Sequence, residues 1–71
     1  METIPSSGGT VTVSFGDGQV HLQGASPAFG YVMEVEDDGP DQVRVDFESD
    51  DVEVSVRVEW KDGMLDIEIT D

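Results

Sequence analysis

The tightest constraint on this chain lies towards its C-terminus. Val52, Val54, Val56, Val58 and Trp60 alternate strictly with Glu53, Ser55, Arg57 and Glu59. A period of two marks a strand with one buried and one wet face, and β-branched side chains suit that pleated surface. Asp62-Gly63 follows, a pair that tolerates the two positive φ angles of a type I′ hairpin turn. Met64 to Thr70 then returns with Leu65, Ile67 and Ile69 on one parity. Closing that turn sets Trp60 opposite Leu65, Val58 opposite Ile67 and Val56 opposite Ile69. Every inward residue meets an inward one, so turn chemistry and apolar pattern dictate one register.

The same reading extends back along the chain. Residues 1–9, with Pro5-Ser-Ser-Gly-Gly9, have a flexible-linker composition, and the folded domain is expected over residues 10–71. Thr10–Phe15 and Gln19–Gly24 form a hairpin across Asp17-Gly18, pairing Phe15 with Val20 and Val13 with Leu22. Ala25–Gly30 contains Pro27, which cannot donate to a ladder, and reads as the crossing between sheets. Tyr31–Glu36 turns Tyr31, Met33 and Val35 inward, and Val43–Glu48 turns Val43, Val45 and Phe47 inward. The turn from Glu48 to Asp51 sets Phe47 opposite Val52 and Asp46 opposite Glu53. About six short strands without a helical period predict an all-β fold, a small antiparallel β-sandwich or barrel. An immunoglobulin-like topology is compatible with this pattern.

Charge narrows the function classes. Seventeen Asp and Glu oppose three Lys and Arg, for a net charge of −14. Such a surface repels nucleic acid and anionic lipid, so neither is expected as a direct partner. A basic protein or a divalent cation fits better, as does mimicry of nucleic acid or adaptation to a salty medium. There is no cysteine, hence no disulfide and no thiolate metal site. No apolar run reaches membrane-spanning length, and no signal segment opens the chain.

Glu34, Glu36, Asp37, Asp38 and Asp41 offer clustered oxygens to Ca²⁺, but their spacing departs from the D-x-D-x-D-G loop. A solvated Asp-Gly turn is the simpler reading. Glu59 is expected opposite Asp66, which with Asp46 opposite Glu53 places like charges across strands. Arg44 beside Glu34 and Arg57 beside Glu68 are the expected reliefs. His21, the only histidine, sits among Gln19 and Gln23 on an outward parity, with no serine arrangement around it to make a triad. Trp60 and Tyr31 have inward parity and read as core. Val32 faces outward beside Glu34 and Glu36. The candidate partner-binding residues are therefore Val32, Glu34, Glu36, Asp46, Glu53, Glu59 and Asp66.

Several segments also resemble a known family. Gly9-Thr-Val-Thr-Val, Ala25-Ser-Pro-Ala, Gly30-Tyr-Val-Met-Glu-Val-Glu-Asp-Asp-Gly-Pro-Asp and Val43-Arg-Val-Asp-Phe-Glu-Ser-Asp-Asp resemble small, mostly uncharacterised bacterial all-β domains. Those domains form exported C-terminal tails after a single membrane-spanning helix. The resemblance runs from Gly9 to Ile69 and implies an extracytoplasmic location, with no catalytic residue and no cofactor. Members carry cysteines where this chain has Phe15 and Trp60. The resemblance therefore implies an aromatic contact bridging the sheets in place of a disulfide, and the missing cysteines fit a cytoplasmic variant equally.

Residues and resemblance together predict a non-enzymatic acidic interaction or accessory module without cofactors. It is expected to dock a basic partner, or to pair through a sheet edge as a monomer or an edge-paired dimer. The alternatives are a nucleic-acid mimic directed at a DNA-binding protein, a Ca²⁺-binding module, and a structural domain adapted for solubility.

Overall fold

The computed structural model describes the whole chain, Met1–Asp71, as strands and turns. The strands are β1 (Glu2–Ser6), β2 (Gly9–Gly16), β3 (Gln19–Pro27), β4 (Val32–Asp38), β5 (Gln42–Glu48), β6 (Glu53–Lys61) and β7 (Met64–Thr70). They make two antiparallel sheets, β1-β2-β3 and β4-β5-β6-β7, and do not close into a barrel. All hydrogen-bonded neighbours are consecutive in sequence, so each sheet is a plain meander. The chain passes between sheets only once, whereas an immunoglobulin sandwich weaves between its sheets repeatedly.

Both hairpins with Asp-Gly turns adopt the expected register. Asp62 and Gly63 have φ of 51° and 77°, and Asp17 and Gly18 have 54° and 77°, as a type I′ turn demands. Trp60 faces Leu65, Val58 faces Ile67 and Val56 faces Ile69. Phe15 faces Val20 and Val13 faces Leu22. A β-bulge beside Thr12 then lets β3 continue through Ala25 and Ser26, residues expected to lie in the crossing. The passage itself is only the short Ala28–Tyr31 turn, closed by Tyr31 N–H on the Ala28 carbonyl at 3.0 Å.

The core is a layer of valines between the sheets. Val11, Val13 and Val20 from the first sheet meet Val43, Val45, Phe47, Val54, Val56 and Val58 from the second, with Ile4 completing the cluster. No polar side chain is buried with them. At one end the Phe15 and Trp60 rings stack with centroids 5.5 Å apart and an interplanar angle of 23°. An aromatic pair thus bridges the two sheets.

Residues 1–9 are not a linker. Glu2–Ser6 pairs along β2 from Glu2 opposite Val13 to Ser6 opposite Gly9, and Ile4 is buried. Gly8 and Gly9 are buried too, because their backbone lies directly on Phe47. The glycines permit close approach here rather than flexibility.

Two further expectations are corrected. Ser49 N–H donates to the Val52 carbonyl at 2.8 Å and makes Ser49–Val52 the turn, so Phe47 pairs with Val54 rather than Val52. The parity of the buried residues survives this shift. On the outer face, however, Asp46 meets Ser55 instead of Glu53, and Glu48 meets Glu53. The edge strand β4 is also less buried than its pattern suggests: Met33 and Val35 are 39% and 43% exposed. The smaller sheet lies mainly over β5 and β6 and covers the outer strands incompletely.

Candidate functional site

The outer face of the four-stranded sheet gathers the candidate residues, because all of them occupy the parity opposite the valine core. Cross-strand register arranges them in rows. Val32, Glu48 and Glu53 form one, and Glu34, Asp46, Ser55 and Thr70 the next. Asp37, Arg44, Arg57 and Glu68 follow, then Gln42, Glu59 and Asp66. Glu36 is the extra residue of a bulge between Val35 and Asp37.

The three basic residues lie in the middle and on the β6–β7 side of this face, and all are engaged. Arg44 Nε lies 3.2 Å from Asp46 Oδ1, which also accepts from Ser55 Oγ at 2.9 Å. The expected Arg44–Glu34 pair does not form: Glu34 lies opposite Asp46, one row away, while the bulge at Glu36 sets Asp37 opposite Arg44. Arg57 does pair with Glu68, at 2.8 Å, and more loosely with Glu59 at 3.8 Å. Lys61 sits 3.6 Å from Glu59 and 3.7 Å from Asp66, relieving the acid pair expected there.

The opposite corner has only the longer-range pull of Arg44. Glu34, Glu36, Glu48 and Glu53 form no ion pair. A shared hydrogen bond and charge repulsion from Glu34 hold the Glu36 carboxyl above the usual carboxylate range. Glu53 does the same to Glu48. Val32, 68% exposed, stands beside these pairs. The corner therefore holds two carboxylate pairs, without an ion pair of their own, beside one apolar side chain. From sequence Glu48 reads as part of an acidic tip with Asp50 and Asp51 and not as a partner-binding residue; the Ser49-x-x-Val52 spacing, which lets a Ser hydroxyl close a turn, is the signal that places it.

The other candidates are dispersed. No group of three or more His, Cys, Asp or Glu side chains is placed to hold a metal ion, so Glu34, Glu36, Asp37, Asp38 and Asp41 are not brought together as Ca²⁺ ligands. Asp37 instead accepts a hydrogen bond from Gln42 Nε2 at 2.6 Å. His21 is exposed, with Nε2 3.4 Å from Gln19 Oε1. One shallow hollow of about 170 Å³ opens on the outer face, lined by Arg44, Ser55, Arg57, Glu68 and Thr70. Small-molecule sites are typically about 300–1,000 Å³ and mostly apolar, so this hollow fits water and ions better than an organic substrate. No protein-family model, curated protein or solved structure matches the chain.

Proposed function

We propose that this protein is a non-enzymatic interaction module that docks a basic partner on the outer face of its four-stranded sheet. The observation that carries this reading is the two carboxylate pairs Glu34–Glu36 and Glu48–Glu53, which repel within each pair, make no ion pair and have only the more distant Arg44 to offset them. A Lys or Arg side chain arriving there removes repulsion already present in the free protein. Complementary charge also steers encounter and rejects acidic competitors. Nucleic-acid mimicry is the special case in which the basic partner is a DNA-binding protein. Val32 supplies an apolar contact at the rim.

Titration calorimetry with a Lys-rich peptide tests this reading. Binding should saturate and should weaken steeply between about 50 and 500 mM salt, as screening shortens the reach of each charge. It should also release protons at pH values just above the ordinary carboxylate value of 4.5, since a bound cation lowers the raised pKa values of Glu36 and Glu48. Replacing Glu34 and Glu53 together by Gln should weaken binding. A salt-insensitive complex would reject the electrostatic reading, and absence of saturable binding would favour a domain whose acidity serves solubility alone.

A further inference from the structure

Two open sheets have four free edges, and three of them are closed in this molecule. In β1, Pro5 removes a main-chain donor, the usual placement of proline on an edge strand. In β3, the Val20 N–H that would face a new strand donates instead to the Pro40 carbonyl of the β4–β5 turn, at 2.9 Å. In β4, the bulge at Glu36 interrupts the ladder and twists the edge. Only β7 is unguarded. It has no proline, glycine, lysine or bulge, and its register with β6 is unbroken from Met64 to Thr70.

The ladder geometry shows which groups β7 leaves free. A two-residue turn makes Lys61 and Met64 a hydrogen-bonded pair, and bonded and non-bonded pairs then alternate. Glu59–Asp66 and Arg57–Glu68 are therefore bonded pairs. Leu65, Ile67 and Ile69 direct their N–H and C=O groups away from β6. The same rule applied to the Asp17-Gly18 hairpin turns the Val20 N–H outward, where the structure finds it bonded to Pro40. The side chains of β7 are incomplete on the same edge: Ile67 and Ile69 point inward yet remain 38% and 43% exposed.

We propose that β7 is the strand-accepting edge of this domain, and that its occupant is an extended partner segment in which apolar residues alternate with Lys or Arg. This rests on the reading of the domain as a module for basic partners and adds a second contact, at the β7 edge across the sheet from the β4-side carboxylate pairs. Added antiparallel to β7, the segment completes the ladder at Leu65, Ile67 and Ile69. Its apolar residues lie beside the half-bare isoleucines. Its basic residues fall on the parity of Asp66 and Glu68, which are exposed and share Lys61 and Arg57 as their partners within the domain, so the charge attraction comes chiefly from the net acidity of the chain. A second copy of this chain is a poor occupant. Two-fold β7–β7 pairing sets acid against acid across the new ladder, between molecules each carrying a net charge of −14.

The test uses an alternating Val-Lys peptide and the same peptide N-methylated at its valines, which keeps the charge but cannot complete the ladder. The unmodified peptide should slow amide hydrogen exchange at Leu65, Ile67 and Ile69. N-methylation should weaken binding at least about tenfold, from the loss of several main-chain hydrogen bonds. Ile67→Pro, which removes an outward donor while sparing the β6–β7 bonds, should weaken the unmodified peptide similarly. Equal binding of both peptides, without protection along β7, would overturn the edge assignment and leave docking on the acidic face standing. No saturable binding of either peptide would overturn both. Self-association of the protein alone at low salt, with protection at these same amides, would replace the partner segment with a second copy.

Discussion

A Cβ atom added to Gly8 would stand 2.7 Å from the Cβ of Phe47, and one added to Gly9 would stand 2.8 Å from the same residue's Cε1. Gly9 also has φ of 148°, which L side chains rarely adopt. These two residues pack by having nothing to pack, and a composition rule that equates Gly-Gly with flexibility reads them backwards. Glu48 and Glu53 show the opposite situation, in which exposed side chains are placed to the detriment of the fold. Because Glu53 raises the pKa of Glu48 in the native state, the native protein binds more protons than the unfolded chain just above the ordinary value of 4.5. Stability is therefore expected to rise as pH falls through that window. Glu53→Gln should remove Glu48's share of this rise, leaving the share of Glu36, and stabilise the protein at neutral pH, as read from denaturant midpoints across the window. A midpoint unchanged by the substitution at neutral pH would show that the two carboxylates do not repel.

At the scale of the strand, legibility in the sequence followed the turns. The β2–β3 and β6–β7 hairpins were readable because an Asp-Gly turn and a period of two specify one register independently. The β5–β6 connection was readable in parity but not in register, since a turn closed by Ser49 and one starting at Glu48 both keep valines facing inward. That ambiguity left the buried face unaffected and misplaced the acidic one, which is why Glu48 went unnoticed as a site residue. β1 was hidden because a short edge strand needs only one buried side chain. Ile4→Ala is expected to cost about 2–5 kcal/mol, the usual range for emptying a buried site. A urea midpoint that does not move would return residues 1–9 to the role of a tether. Parity also says which way Met33, Val35, Ile67 and Ile69 point, but not whether anything covers them. Coverage depends on how far the opposing sheet extends, and no local pattern encodes that.

At the scale of the molecule, size and charge act together. The chain measures 38 × 18 × 17 Å, so charges across its short axes are separated by about two Debye lengths at 0.1 M salt, those at its two ends by about four, and cross-strand neighbours by less than one. Self-repulsion is consequently strong in dilute buffer and largely screened at moderate ionic strength. Thermal stability should rise with added NaCl, most steeply below about 0.1 M, where screening changes fastest. A melting temperature indifferent to salt would mean that the acidic rows are spaced widely enough to coexist.

The lone passage between sheets, with Phe29 standing fully exposed at its centre, makes the polypeptide divisible. Nicked there, it yields two pieces that each own a whole sheet and borrow no strand from the other, joined by the valine layer, the Phe15–Trp60 stack and the Val20–Pro40 hydrogen bond. Such a molecule lends itself to being split and reconstituted, so that both the acidic face and the open edge travel with the C-terminal piece while the N-terminal piece serves as its lid.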